Sequence, residues 1–321
     1  MTAAVTVDAA GARMGGAARY LVELRGYLER TGREDVEIIG AQQRVGPGWL
    51  MRRELGGLVR SRRVAINNVG FVAPGGQRWT LLRNALHFLT EGEQAELDPA
   101  IRAAVRRQAV VVHLAARRSD VIVAPSTAMT ERIGAVRPDL SNRVVVRPHP
   151  VSVPSTPRLP GDPVILCPVL FAPYKQMAQR LTEILAAVVD LEDPSVKVRV
   201  TARAAELPEA VACHPQVELV GRLPHDELRE MQARSRAIYF PTGLESFGYP
   251  LAEARVCGQP VIARDTAQNR EIAGPALCGY TLGDPDSLRR AVDVALTTDV
   301  APDPRPFDPD RYFGWLLGPA R

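Results

Sequence analysis

Short runs rich in Val, Ile and Ala alternate along the chain with longer stretches of helical spacing. In the first half the apolar runs fall at 4–8, 36–40, 64–69, 121–125 and 144–147, with helical periodicity over 17–31 and 99–118. In the second half they fall at 164–169, 196–201, 217–221, 237–240 and 260–263, separated by helical stretches at 175–189, 225–235, 249–257 and 285–296. Continuous apolar strands alternating with helices predict parallel sheets covered on both faces. Between the two series lies Pro150-Val-Ser-Val-Pro-Ser-Thr-Pro-Arg-Leu-Pro160, four prolines in eleven residues. Such a segment is stiff and extended, as a linker is. The expected organisation is two Rossmann-like α/β domains, 1–152 and 153–300, with a tail at 301–321 that can return to the first domain. Ligands of such folds bind outside the carboxyl ends of the strands.

The 321 residues suit two domains, and 46% hydrophobic with 24% charged residues is a globular balance. No apolar run reaches the roughly 20 residues of a membrane span, and the first residues lack a signal-peptide pattern, so a cytoplasmic address is expected. Cys167, Cys213, Cys257 and Cys278 are scattered and read as reduced thiols. Residues 1–150 hold 22 Arg against 14 Asp and Glu, about +8, so the net +4 leaves about −4 for the rest. A basic half suits an anionic partner, yet the chain uses Arg 38 times and Lys only at 175 and 197, which is equally a compositional habit.

The chemistry concentrates in Phe240-Pro-Thr-Gly-Leu-Glu245-Ser-Phe-Gly-Tyr-Pro250-Leu-Ala-Glu253-Ala-Arg-Val-Cys-Gly258-Gln-Pro260. A strand ends at Pro241, a glycine-bearing loop follows, and Pro250 suits the first turn of a short helix closed by Gly258. A helix N-terminus after Gly248 can receive an anion. Glu245, in the loop, and Glu253, placed in the first turn, are acceptors for paired sugar hydroxyls. On spacing alone, Glu253 is equally a dipole-favouring helix residue and Glu245 a solvated one.

This stretch resembles the E-x7-E signature of retaining glycosyltransferase family 4. Glu245 and Glu253 stand at the two Glu positions, with Phe247, Gly248, Pro250, Ala254, Gly258, Pro260, Val261 and Ile262 in register. Val217-Glu-Leu-Val-Gly221, Pro173-Tyr174-Lys175 and Gly15-Gly16-Ala-Ala-Arg-Tyr20 resemble further family segments in order, as do Asp120–Ser126 and Val146–Val151. The resemblance implies a GT-B fold whose second domain holds a nucleoside-diphosphate sugar. It implies that Glu245 lies by the donor sugar, Glu253 contacts the ribose and Lys175 neutralises the diphosphate. Ser246 and the backbone amides of Phe247, Gly248 and Tyr249 would complete the cradle, with the base near Gly221 and Arg222. In the first domain, the Gly15-Gly16 turn would approach the donor and His87 would stand near its sugar, with Arg83-Asn84 as an alternative. Many family members carry Arg five residues before the lysine; here that residue is Leu170, and Arg222 or Arg264 is left to supply the charge.

The resemblance further implies retention of anomeric configuration and domain closure across the linker. No metal and no other cofactor is expected, because Asp284-Pro-Asp286 and Asp308-Pro-Asp310 stand at helix starts, where Asp is a routine cap. Gly15-Gly16 lacks the G-x-G-x-x-G string and its later acid, which speaks against a dehydrogenase. A degenerate GT-B protein that only binds or scaffolds is the competing reading, and an epimerase or a phosphorylase of the same fold is a third. The acceptor stays open among a glycan, a lipid-linked glycan and a small molecule. The 99–118 stretch is amphipathic enough for a surface helix contacting a membrane periphery, as well as for one covering the domain. Nucleic acid is not an expected partner.

Overall fold

The computed structural model describes residues 4–56, 61–95, 97–154, 158, 162–168 and 176–319. The chain forms two compact units. The first comprises Met1–Ser152, Glu245–Phe247 and Pro306–Arg321; the second comprises Val153–Leu244 and Gly248–Arg305. The boundary after Ser152 lies in the proline-rich segment, and the chain re-enters the first unit after Arg305.

The first unit holds a six-stranded parallel sheet, β1 (Val5–Asp8), β2 (Val36–Ile39), β3 (Arg62–Ala65), β4 (Gln77–Leu81), β5 (Val121–Ala124) and β6 (Val144–Val146), ordered β2-β1-β3-β4-β5-β6. Its helices are α1 (Gly15–Thr31), α2 (Pro47–Gly56), α3 (Glu91–Ala95), α4 (Pro99–Ala116) and α5 (Thr127–Val136). Helix α1 buries Tyr20, Leu21, Leu24 and Tyr27, one stripe at helical spacing, and stops at Gly32, whose φ is 61°. Asp98 caps α4 by accepting from Ala100 N and Ile101 N, with Pro99 opening the helix. Strand order reverses between β1 and β3, where Asn67 Nδ2 donates to Asp8 at 2.8 Å.

The second unit repeats the plan with β7 (Val164–Cys167), β8 (Lys197–Val200), β9 (Val217–Leu219), β10 (Ala237–Phe240), β11 (Val261–Arg264) and β12 (Leu277–Tyr280). Its helices are α6 (Met177–Val189), α7 (Glu209–Ala212), α8 (His225–Arg234), α9 (Tyr249–Cys257), α10 (Ala267–Ala273) and α11 (Pro285–Thr297). The sheet runs β12-β11-β10-β7-β8-β9, the doubly wound dinucleotide-fold order, with its switch point between β7 and β10. The core packs Ile165, Leu181, Ile184, Val198, Tyr239, Ile262 and Val292 around these strands.

The returning segment carries α12 (Pro309–Leu317), which lies on α1. Phe313 stands 5.5 Å from Tyr20 and 5.3 Å from Tyr27, ring to ring. Full burial of a phenylalanine side chain contributes roughly 1.5–3 kcal/mol. The carbonyls at the end of α12 accept from Arg62 and Arg33.

Candidate functional site

In the second unit the motif loop leaves the carboxyl end of β10, and the segment bearing Lys175 leaves that of β7. These two strands pair at the switch point, Ala237 opposite Ile165 and Ile238 opposite Leu166. Both conspicuous segments thus start where an open parallel sheet leaves a ligand crevice. Lys175 itself, like Leu170, lies outside the described residues.

Gly248 stands before α9 with φ 83° and ψ 79°. A Cβ there would also meet Leu251 Cδ1 at 2.9 Å and Phe240 Cε1 at 3.2 Å, so the position needs glycine twice over. The N–H groups of Leu251 and Ala252 both turn to the Gly248 carbonyl, at 3.0 and 3.4 Å. The amides that the resemblance assigns to phosphate, Gly248 and Tyr249, precede them. Glu253 was expected in the first turn of this helix; it is the fifth residue of α9, half-buried in the second turn, and the first turn holds no acid. The helix is fixed from behind by Arg255, whose Nη2 donates to Asp303 at 2.7 Å.

Gly243 is bare for a different reason. A Cβ there would fall 1.7 Å from Arg264 Nη1, so the guanidinium lies directly against the backbone of the motif loop. Arg264 ends β11, beside β10. Arg222, the other cation considered for the charge missing at Leu170, donates to Glu206 at 2.6 Å. Gly221 follows β9 with φ 69°.

Glu245, Ser246 and Phe247 belong to the first unit. Ser246 is 7% exposed; its Oγ donates to the Arg83 carbonyl at 2.5 Å, and its own carbonyl accepts from Ser126 Oγ at 2.9 Å. Phe247 is buried, its ring 5.0 Å from that of His149. His149 also stands edge-on to Tyr20 at 5.3 Å. Burial, and then the Arg83 guanidinium, hold the His149 imidazole well below its ordinary pKa.

His87 is buried in the short turn Ala85–Phe88, with Nε2 3.4 Å from Asn84 Nδ2 and 3.5 Å from Gln108 Oε1. Its pKa is lowered by burial first. Gly15 and Gly16 open α1 on the exposed surface, Gly15 with φ 55°. Asp284 and Asp308 cap α11 and α12, accepting from Ser287 N and from Asp310 N and Arg311 N. Among the described residues no three His, Cys, Asp or Glu side chains gather as a metal site.

Sequence reasoning did not single out Ser126, or the network on Asp8. Ser126 carries a legible signal as the N-cap of α5, where it accepts from Met129 N at 3.1 Å; its second bond, 120 residues away, leaves none. Asp8 is fully buried and accepts from Ala10 N, Trp49 Nε1, Asn67 Nδ2 and Arg53.

Residues 174–304 match the family model for glycosyl transferases group 1. The fold as a whole is similar to that of sucrose-phosphate synthase from Thermosynechococcus elongatus, with TM-score 0.67, 14% identity and 98% of each chain covered. It is also similar to WaaG, a glycosyltransferase involved in lipopolysaccharide biosynthesis, with TM-score 0.63, 13% identity, and 92% of this chain and 90% of that one covered. The fold is that of the GT-B glycosyltransferases. A stretch of the chain is 28% identical over 83 residues to O-antigen chain mannosyltransferase B of Escherichia coli, spanning 26% of this chain and 22% of that protein. No helix of the protein, among the described residues, is long and apolar enough to cross a membrane.

Proposed function

We propose that the protein is a retaining, metal-independent transferase that moves a sugar from a nucleoside-diphosphate donor to a hydroxyl of a glycan-type acceptor. The observation that carries this reading is the emergence of the motif loop and the lysine segment from β10 and β7, the paired strands of the switch point. The diphosphate would sit at the start of α9, against the Gly248 and Tyr249 amides and Lys175. Arg264, laid against Gly243, stands in for the arginine absent at Leu170. Glu253 would accept from ribose hydroxyls, and Glu245 would face the sugar.

In the reaction the bond from the anomeric carbon to the diphosphate oxygen breaks, and a bond to the acceptor oxygen forms on the same face. The acceptor's proton passes to the departing phosphate oxygen, so donor and acceptor balance against glycoside and free nucleoside diphosphate. The residues stabilise charge on the leaving group and hold the two substrates. The cap roles of Asp284 and Asp308 support metal independence.

Peripheral membrane contact is part of the proposal. Helix α4 exposes Val110, Val111 and Leu114, at 57%, 45% and 57%, near Arg106, Arg107, Arg117 and Arg118, an arrangement suited to an acidic lipid surface.

A panel of uridine, guanosine and adenosine diphosphate sugars tests the reading, with nucleoside diphosphate release measured against glycan acceptors in EDTA. Release that depends on acceptor and persists in EDTA is expected. Nucleotide binding without turnover would favour the degenerate binder, and turnover restored only by magnesium or manganese would overturn the site.

A further inference from the structure

Parallel register sets Thr6 opposite Glu37 and Asp8 opposite Ile39, so these four side chains share one sheet face. Trp49, Arg52 and Arg53 share one face of α2 by their spacing. Arg53 and Trp49 both bond Asp8, which pins that end of the helix to β1. Beside this clamp lies a solvent-open cavity of about 640 Å³, lined among others by Thr6, Glu37, Gln42, Gln43, Trp49 and Arg52. Its volume falls within the roughly 300–1,000 Å³ of small-molecule sites.

The lining specifies a ligand class. The Thr6 hydroxyl is buried beneath the lining, sealed from the cavity, with no hydrogen-bond partner among the described residues. The two glutamine amides each offer a donor and an acceptor, Arg52 offers donors and Glu37 an acceptor. That mixture matches hydroxyls that donate and accept at once. The indole N–H of Trp49 is spent on Asp8 at 3.1 Å, which holds its ring as a fixed wall for the C–H face of a sugar ring. A phosphate is a poorer fit, because Arg53 is neutralised by Asp8 and Glu37 brings a negative charge to the same lining.

We propose that this cavity is a subsite for a neutral oligosaccharide, holding sugars of the acceptor away from the reacting hydroxyl. The inference rests on the transferase reading for its role, not for its ligand class. The acceptor is then a glycan chain rather than a bare lipid or a small aglycone.

The test uses the full chain and ligand-observed saturation-transfer NMR with mannotriose, maltotriose and cellotriose, and inorganic phosphate as the contrast. At least one trisaccharide is expected to bind. The double variant Gln42→Ala with Arg52→Ala, both at exposed positions, is expected to weaken it tenfold or more. Uridine and guanosine diphosphate affinities, measured in the same samples, are expected to stay at the wild-type value. Absence of trisaccharide binding, binding indifferent to the double variant, or preference for phosphate would each overturn the proposal. Trisaccharide binding mapped to the cavity in a chain that binds no nucleoside diphosphate would instead sink the transferase reading and leave the subsite standing.

Discussion

Ser126 Oγ donates to the carbonyl of Ser246 at 2.9 Å, tying the residue after Glu245 to the end of β5. The same Ser126 caps α5, and Ser246 in turn donates to the Arg83 carbonyl. The backbone beside Glu245 is therefore set by residues far from it in sequence, and not by the loop's own composition.

Ser126→Ala is expected to lower turnover about tenfold through misplacement of Glu245, at roughly 1.4 kcal/mol per decade. Loss of the cap costs about 1 kcal/mol of stability besides. Ser246→Ala removes only the bond to Arg83 and separates the two effects. Nucleoside diphosphate affinity should hold in both; its loss in Ser126→Ala would show that the serine acts through the whole unit rather than through the loop.

The two motif glutamates are expected to part company when mutated. On the proposed reading, Glu253→Gln turns a carboxylate that would accept from two ribose hydroxyls into an amide with one acceptor oxygen, so nucleotide affinity should fall about tenfold. Glu245→Gln should leave that affinity intact and slow transfer. Calorimetric titration of free nucleoside diphosphate into each variant decides it, and equal losses would remove the assigned roles.

Much of the fold was legible because its strands are mostly apolar: β1, β2, β5, β7 and β10 lie within a few residues of the patterned runs, and α9 occupies the expected positions. What escaped has physical reasons. Strand β4 begins Gln-Arg and β12 contains Gly279, so neither reads as a buried run. Strand β3 starts at Arg62 rather than Val64, because Arg63 is buried, with its guanidinium 5.4 Å from the Phe71 ring. Helix α2 turns Met51 and Leu55 to solvent, which erases its periodicity. The motif chemistry was legible as a string, but the assignment of Glu245–Phe247 to the first unit depends on Ser126 and His149, partners that spacing along the chain does not reveal.

Stability should fall on mild acidification. His149 is buried among Tyr20, Tyr312 and Phe247, with the Arg83 guanidinium adding to its pKa depression. Its folded pKa is depressed, so the unfolded chain takes up a proton below its own value of about 6.5 while the folded chain does not. Stability is full above that pH and declines below it, by up to about 1.36 kcal/mol per pH unit for this one group. His87 and His113, both lowered chiefly by burial, act in the same direction. Urea denaturation at pH 7.5 and 5.5 should show the decline, and His149→Phe should flatten it; a wild-type stability indifferent to this interval would mean that the histidines are hydrated.

Lys175 carries the sharpest expectation. In the proposed transfer the leaving diphosphate gains negative charge as the glycosidic bond breaks, so a cation beside it would bind the transition state better than the ground state. A charge-assisted hydrogen bond contributes roughly 1.5–3 kcal/mol. With Leu170 in the place of an arginine and Arg222 held by Glu206, Arg264 is the other cation assigned to this charge. Lys175→Ala should therefore lower turnover by on the order of a hundredfold, two decades at about 1.4 kcal/mol each. Arg264→Ala should cost less, and the double variant more than either. Lys175→Arg should recover part of the loss, because a planar fork replaces a compact ammonium imperfectly. Lys197 is the matched control: it opens β8 and its Nζ donates to the Pro215 carbonyl at 3.2 Å. Steady-state rates at saturating donor compare the four variants with Lys197→Ala. A Lys175→Ala enzyme as active as Lys197→Ala would place the diphosphate somewhere other than the start of α9.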